Sequence, residues 1–107
     1  MNPAEIASAV LNILRNNGWG KYQFRNGTQY CIYGAILSLY LYNKNDKILF
    51  CKKLSEIIEE QYPEINYPDK YEQKIVIFND YPTTTFEDVE LVLEKTISAL
   101  EEYDESA

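Results

Sequence analysis

The stretch Tyr30-Cys31-Ile32-Tyr33-Gly34-Ala35-Ile36 decides the reading of the fold. Its apolar positions recur at helical spacing: Cys31, Ala35, Leu39 and Tyr42 form one edge, with Ile32 and Ile36 beside them. The pattern predicts a helix over residues 29–42, capped by Thr28 and apolar nearly all round, hence the most buried helix of the domain. A glycine inside that helix costs about 1 kcal/mol of helix propensity. Something compensates for Gly34, either close helix packing or a backbone or ligand crossing directly above it.

Working outward from this helix, residues 3–16 read as a first amphipathic helix. Asn2 is the cap, Pro3 sits in the first turn, Glu5 faces the positive end of the dipole, and Ile6, Ala9, Val10, Ile13 and Leu14 form the apolar face. Asn16-Asn17-Gly18 stops it. Residues 19–29 form an aromatic connector in which Asn26-Gly27 is the strongest turn signal, compatible with a minor β-hairpin.

Downstream, Asn43-Lys44-Asn45-Asp46 breaks the pattern. A third helix is expected over residues 47–61, with Ile48, Leu49, Leu54, Ile57 and Ile58 inward. A proline-punctuated loop spans residues 62–72. Within residues 73–79 the apolar run Ile75-Val76-Ile77-Phe78 fits a strand or a helix, with a short helix or turn favoured for want of a strand partner. The last helix starts at a capping-box-like Thr85/Asp88 pair and carries Val89, Leu93, Thr96, Ile97 and Leu100 on its buried stripe. The acidic tail, residues 101–107, is expected to fray. The sum is a mainly α, compact single domain over residues 1–107, of about four helices with an aromatic loop or minor hairpin. An α+β arrangement is the alternative.

Composition narrows the function classes. The chain has 107 residues, 46% hydrophobic and 25% charged, as expected of a globular domain. No window reaches the roughly 18–20 apolar residues of a membrane span, and no basic leader precedes an apolar core. Two cysteines without export features fit reduced thiols in a bacterial cytoplasm. Net charge is −7, unevenly placed: residues 54–107 carry fifteen acids against three lysines, while residues 1–53 are basic. Such a chain is repelled by phosphate backbones, so direct nucleic-acid binding is not expected unless the basic half forms its own patch. Without an apolar span, no membrane is expected either. The acidic half either solvates helix faces or fits a basic groove on a partner, through Glu56, Glu59, Glu60, Glu87 and Asp88.

With no histidine, Ser-His-Asp and Cys-His nucleophilic sets are excluded, as are most zinc sites. Asp80, Glu87 and Asp88 match no calcium-loop spacing, so neither a metal nor any other cofactor is expected. Cys31 near a helix start is a candidate nucleophile, but no base is identifiable. Asn79-Asp80 either turns the chain or offers polar readout to a ligand, Asn79 to an amide or base edge and Asp80 to a ribose hydroxyl or amine. Ten tyrosines exceed what a small core can absorb, and tyrosine is enriched at recognition surfaces. Trp19, Tyr22 and Tyr33 are candidates for stacking a base.

Trp19-Gly20, Tyr30-Cys31-Ile32-Tyr33-Gly34-Ala35, Phe78-Asn79-Asp80 and Thr85-Phe86-Glu87-Asp88-Val89, in that order, resemble an uncharacterised family of small phage and bacterial proteins. Relatives there often carry tryptophan where this chain has Tyr30 and Phe78. The resemblance covers nearly the whole chain and implies phage or mobile-element provenance; it brings no catalytic residue. The expected function is a non-enzymatic binding protein that antagonises host defence. It would do so by sequestering a nucleotide-like signal or by blocking a basic defence protein. An enzyme using Cys31 or the Asp80/Glu87/Asp88 carboxylates is the alternative, and an oligomerisation module, such as a homodimer, is another.

Overall fold

Asn2 opens the fold. In the computed structural model, which describes residues 1–40 and 42–106 (the last four through the backbone alone), its side chain accepts the Glu5 amide at 2.8 Å. The Glu5 carboxylate accepts the Asn2 amide in return at 2.9 Å. This reciprocal box starts α1 (Pro3–Asn17). The buried face of α1 is Ala4, Ile6, Ala7, Val10, Leu11 and Leu14. It is rotated slightly from the expected stripe, leaving Ala9 and Ile13 half-buried.

The connector folds as a small hairpin, β1 (Arg25–Asn26) against β2 (Gln29–Tyr30), with Arg25 opposite Tyr30 and Asn26 opposite Gln29. The turn therefore centres on Gly27-Thr28, one residue later than Asn26-Gly27 suggests, with Gly27 at φ 63°. Gly18 and Gly20 lace the connector to β2, the Gly20 amide donating to the Tyr30 carbonyl and the Tyr30 amide to the Gly18 carbonyl, both at 3.0 Å.

This pairing corrects the central helix. Gln29 and Tyr30 belong to the hairpin, so Thr28 caps nothing and α2 is only Ile32–Leu37. Its cap is Cys31, whose Sγ accepts the Gly34 amide at 3.2 Å. Leu41, inside the range expected for this helix, lies outside the described residues. What crosses Gly34 is backbone: a Cβ at that position would stand 1.8 Å from the Phe24 carbonyl oxygen.

Asn43, expected as part of a break, instead caps α3 (Lys44–Gln61) by accepting the Asp46 amide at 2.8 Å. Phe50, Cys51, Leu54, Ile57 and Ile58 point inward; Leu49, expected inside, is exposed. The apolar run after the proline loop is helical, as favoured, and longer than expected: α4 is Tyr71–Asp80. In front of α5 (Phe86–Ser106), Thr85 and Asp88 exchange bonds, the Thr85 amide donating to Asp88 at 2.8 Å. The helical backbone continues through Ser106; Ala107 and the side chain of Tyr103 lie outside the described residues.

Helices α1, α3 and α5 pack on one another, α4 lies on α3, and α2 bridges α1 and α4. Phe50, Phe78, Ile6, Ile32, Ile36, Leu54 and Leu93 are fully buried between them. Burial of each such side chain contributes about 1.5–3 kcal/mol. The radius of gyration, 12.8 Å, is that of one domain of this length. The protein is thus mainly α with a minor hairpin, and among the described residues no helix is long and apolar enough to cross a membrane.

Candidate functional site

The connector ahead of the hairpin, residues 19–24, lies across the start of α2 and against α4. This junction collects four of the five residues singled out as ligand-binding, Trp19, Tyr22, Asn79 and Asp80. Its centre is Asn79, at the end of α4 and 1% exposed. Asn79 Oδ1 accepts the Trp19 indole N–H at 2.7 Å and the Ile32 amide at 3.0 Å. Asn79 Nδ2 donates to the Gly20 carbonyl at 3.1 Å and to Asp80 Oδ1 at 2.9 Å. An amide side chain has two donors and one oxygen with two lone pairs, so its capacity is filled. Asn79 ties the connector, the first turn of α2 and α4 into one unit. A ligand would reach it only by breaking those bonds.

Trp19 is similarly engaged. Its ring stacks on Phe86 at 6.1 Å between centroids, and Lys21 Nζ lies 5.7 Å from its centroid while donating to the Tyr81 carbonyl at 2.7 Å. Asp80 is half-buried and uses Oδ1 for two bonds, the second from the Tyr22 amide at 2.9 Å.

That bond holds Tyr22 in an uncommon state. Tyr22 is at φ 73°, a left-handed conformation that costs a bulky L-residue on the order of 1 kcal/mol. Tyr22 is 71% exposed and Phe24 is 55% exposed. The connector thus holds two aromatic side chains outward on a tethered backbone. Beneath them run two adjoining depressions that share Phe24 and Val76. One, of about 670 Å³, is walled by Phe24, Tyr33, Tyr67, Pro68, Val76 and Ile77, with Glu72 and Gln73 at its polar side. The other, of about 200 Å³, lies between Tyr22, Phe24, Cys31, Val76 and Asp80. A groove of comparable size between α1, α3 and α5 is lined instead by charges of both signs, including Asp46, Lys52, Lys53 and Glu56.

Tyr33 is the hinge between core and groove. Its ring meets Phe24 at 6.0 Å and 44°, and Lys47 Nζ sits 5.7 Å from its centroid. Burial pushes the Tyr33 hydroxyl pKa up, against the pull of Lys47. The Tyr67 hydroxyl donates to the Tyr62 carbonyl at 2.8 Å, which fixes the ring that walls the groove.

Tyr22, Tyr33 and Asp80 therefore flank one apolar surface, while Trp19 and Asn79 lie behind it as its frame. Phe24, Tyr67, Glu72, Val76 and Ile77 were not singled out from sequence. Their signal was faint: Ile77 sits in an apolar run whose periodicity marks no outward face, yet it is exposed.

The acidic side chains expected to meet a basic partner are largely engaged. Glu56 pairs with Lys53 at 3.0 Å, Glu59 pairs with Lys74, and Asp88 accepts the Tyr62 hydroxyl at 2.7 Å. Glu56, despite its pairing, and Glu60 and Glu87 are exposed. Cys31 is buried, and burial pushes its thiol pKa up, the reverse of an activated nucleophile. Burial carries the Cys51 thiol up to about 12. Among the described residues no cluster of His, Cys, Asp and Glu could hold a metal ion.

No curated protein and no solved structure matches this chain. The frame just described, from the α1 cap through Trp19, Gly34, Asn79 and Asp88 to the last helix, lies within residues 1–99, which match the family of unknown function DUF6197, and the chain belongs to that family.

Proposed function

We propose that this is a non-enzymatic binding protein of phage or mobile-element origin that works in a bacterial cytoplasm by blocking a defence protein. Its recognition surface is the aromatic groove between the connector and α4. The observation that supports this is the exposure of Tyr22 and Phe24 on a backbone held by Asn79 and Asp80. Exposed aromatics at this density are unusual unless a partner covers them, and tyrosine gives much contact area at low entropic cost. Preorganisation lowers the ordering cost of association further. Provenance and the link to defence rest on the resemblance of the chain's signatures to small phage and bacterial proteins.

Blocking a protein is favoured over sequestering a nucleotide by the lining of the groove. A nucleotide brings phosphates, which call for arginine, lysine or free backbone amides. The larger depression offers Glu72 and the smaller one Asp80, with no cationic side chain lining either.

The test is retention of a partner from bacterial lysate by the immobilised protein, run beside a Tyr22→Ala/Phe24→Ala variant with an unchanged circular dichroism spectrum. A protein held by the wild type and lost by the variant supports the reading. Equal retention by both refutes it. A thermal-shift screen in which nucleotides, cyclic oligonucleotides or ADP-ribose raise the Tm by several degrees would replace blocking with sequestration. Self-association lost with the same variant would make the face a homodimer contact.

A further inference from the structure

Among the residues lining the larger groove, Glu72 alone carries a charge at neutral pH. Among the described residues it takes part in no ion pair. Around it stand the rings of Phe24, Tyr33 and Tyr67 and the hydrocarbon of Pro68, Val76 and Ile77. A half-buried carboxylate against such walls is poorly compensated once a partner displaces water. The Tyr71 hydroxyl hydrogen-bonds it, but a neutral apolar occupant would leave its charge without a counter-charge, and an anion would be repelled. An organic cation would satisfy it and also gain from the aromatic faces.

The rings nearby already accept cations. Lys47 Nζ lies 5.7 Å from the Tyr33 centroid, and the Arg25 guanidinium carbon lies 5.2 Å from that of Tyr30. Guanidinium suits this site better than ammonium. It is planar, stacks on aromatic rings, pairs with a carboxylate through two parallel bonds, and sheds water more readily. Val76, Ile77 and Pro68 offer a surface for the methylene stem behind it. The acidic bias of residues 54–107, fifteen acids against three lysines, favours approach by a basic segment.

We infer that the groove is a docking site for an arginine side chain carried on an apolar segment of the partner protein, with Glu72 as its counter-charge and Phe24 and Tyr33 as its stacking faces. The inference rests on the reading of this face as protein-binding and supplies the chemistry of what it takes.

Its test is an NMR titration of the isotope-labelled protein with the blocked peptide acetyl-Leu-Arg-Leu-amide, its citrulline counterpart and its lysine counterpart. Citrulline keeps the shape of arginine and removes the charge. The arginine peptide is expected to shift the Phe24, Tyr33 and Val76 resonances saturably and to bind about tenfold more tightly than the citrulline peptide. Glu72→Gln, with its other resonances unmoved, is expected to shrink that difference to the smaller part that the aromatic faces supply. Equal affinity of the arginine and citrulline peptides overturns the inference, as does a Glu72→Gln variant that keeps the difference. A lysine peptide as tight as the arginine one overturns the choice of guanidinium. Absence of peptide binding, while a whole partner is still lost on removing Tyr22 and Phe24, refutes the arginine site and leaves the face intact. A partner indifferent to those two aromatics refutes the face itself.

Discussion

Gly34→Ala sets two effects of opposite sign against each other at one position. Helix propensity alone makes the change stabilising by about 1 kcal/mol, because alanine is the better helix former. The structure puts the new methyl 1.8 Å from the Phe24 carbonyl oxygen, 2.6 Å from its carbon and 3.0 Å from the Phe24 Cα. All three atoms are backbone, so no rotamer change relieves the overlap. For ordinary contact the carbonyl must retreat by about 1.5 Å. That retreat breaks the bond from the Cys31 amide, 3.2 Å in the wild type, and pulls Arg25 out of register with Tyr30. Losing that bond with its donor left unpaired costs about 1–3 kcal/mol, and disturbing the hairpin adds to it. The net expectation is destabilisation by about 2–4 kcal/mol, a fall in Tm of roughly 9–18 °C for a domain of this size. Gly27→Ala is the control. Nothing lies within 4 Å of the Cβ built there, so only the left-handed backbone is strained, costing about 1 kcal/mol. Urea unfolding of the three proteins decides the matter. A Gly34→Ala protein as stable as the wild type, or a loss no greater than that of Gly27→Ala, would refute the close crossing of hairpin over helix.

The Asn79 hub predicts that Asn79→Ala, which strands the Trp19 indole N–H, the Ile32 amide and the Gly20 carbonyl, lowers stability by about 2–4 kcal/mol in chemical denaturation; a loss below 1 kcal/mol contradicts the network. Burial pushes the Asp88 carboxyl up, but bonds from the Thr85 amide and the Tyr62 and Thr85 hydroxyls outweigh it and hold it below the ordinary carboxylate value. Its contribution is therefore present above the unfolded carboxylate range and lost as pH falls through the lower folded value. Asp88→Asn should then be less stable at neutral pH and show a shallower loss below about pH 4, a trend that parallel acid titrations would expose or deny. Both thiols should resist iodoacetamide at pH 8 until the chain unfolds; a Cys31 alkylated as fast as a free thiol would revive the enzyme alternative. Tyr22→Gly relieves the strain at φ 73° while loosening the unfolded chain, so stability should change by less than about 1 kcal/mol. Partner binding should still fall, and a variant binding as well as the wild type would place Tyr22 outside the recognition surface.

What could be read from the sequence was what depends on near neighbours in the chain. The Asn2 cap and the Thr85/Asp88 pair each act over three residues, and both form; that Glu5 closes the Asn2 cap into a box was not read. Gly34 inside an apolar helix signalled a close neighbour, helix packing being favoured, and it is the non-helical backbone of Phe24 that crosses there. The extent of that helix was misread because Gln29 and Tyr30 answer to Arg25 and Asn26, a pairing that helical periodicity does not register. Cysteine is not a usual cap, so Cys31 gave no warning that the helix starts after it. Asn43 carried the same capping signal as Asn2 but stood among polar residues that read as a break. Asn79 was harder still, since the Trp19 indole and the Gly20 carbonyl lie 60 and 59 residues away along the chain.

The partners of Asn79 bear on why a surface of exposed aromatics can be stable without one. An asparagine that only turned the chain would leave the connector tethered at its ends, and Tyr22 and Phe24 would sample many positions. With Asn79 bonded to Gly20 and Trp19, and Asp80 to the Tyr22 amide, the connector is held on α4 from within. Strain at Tyr22 is tolerable because those bonds, each contributing about 0.5–1.5 kcal/mol net, exceed it. A flexible lip would lose on the order of 0.5–1.5 kcal/mol per side chain on docking, and this one has lost most of that freedom in folding. The same buried amide that forfeits any direct contact with a ligand thus fixes the geometry of the side chains that remain free to make one.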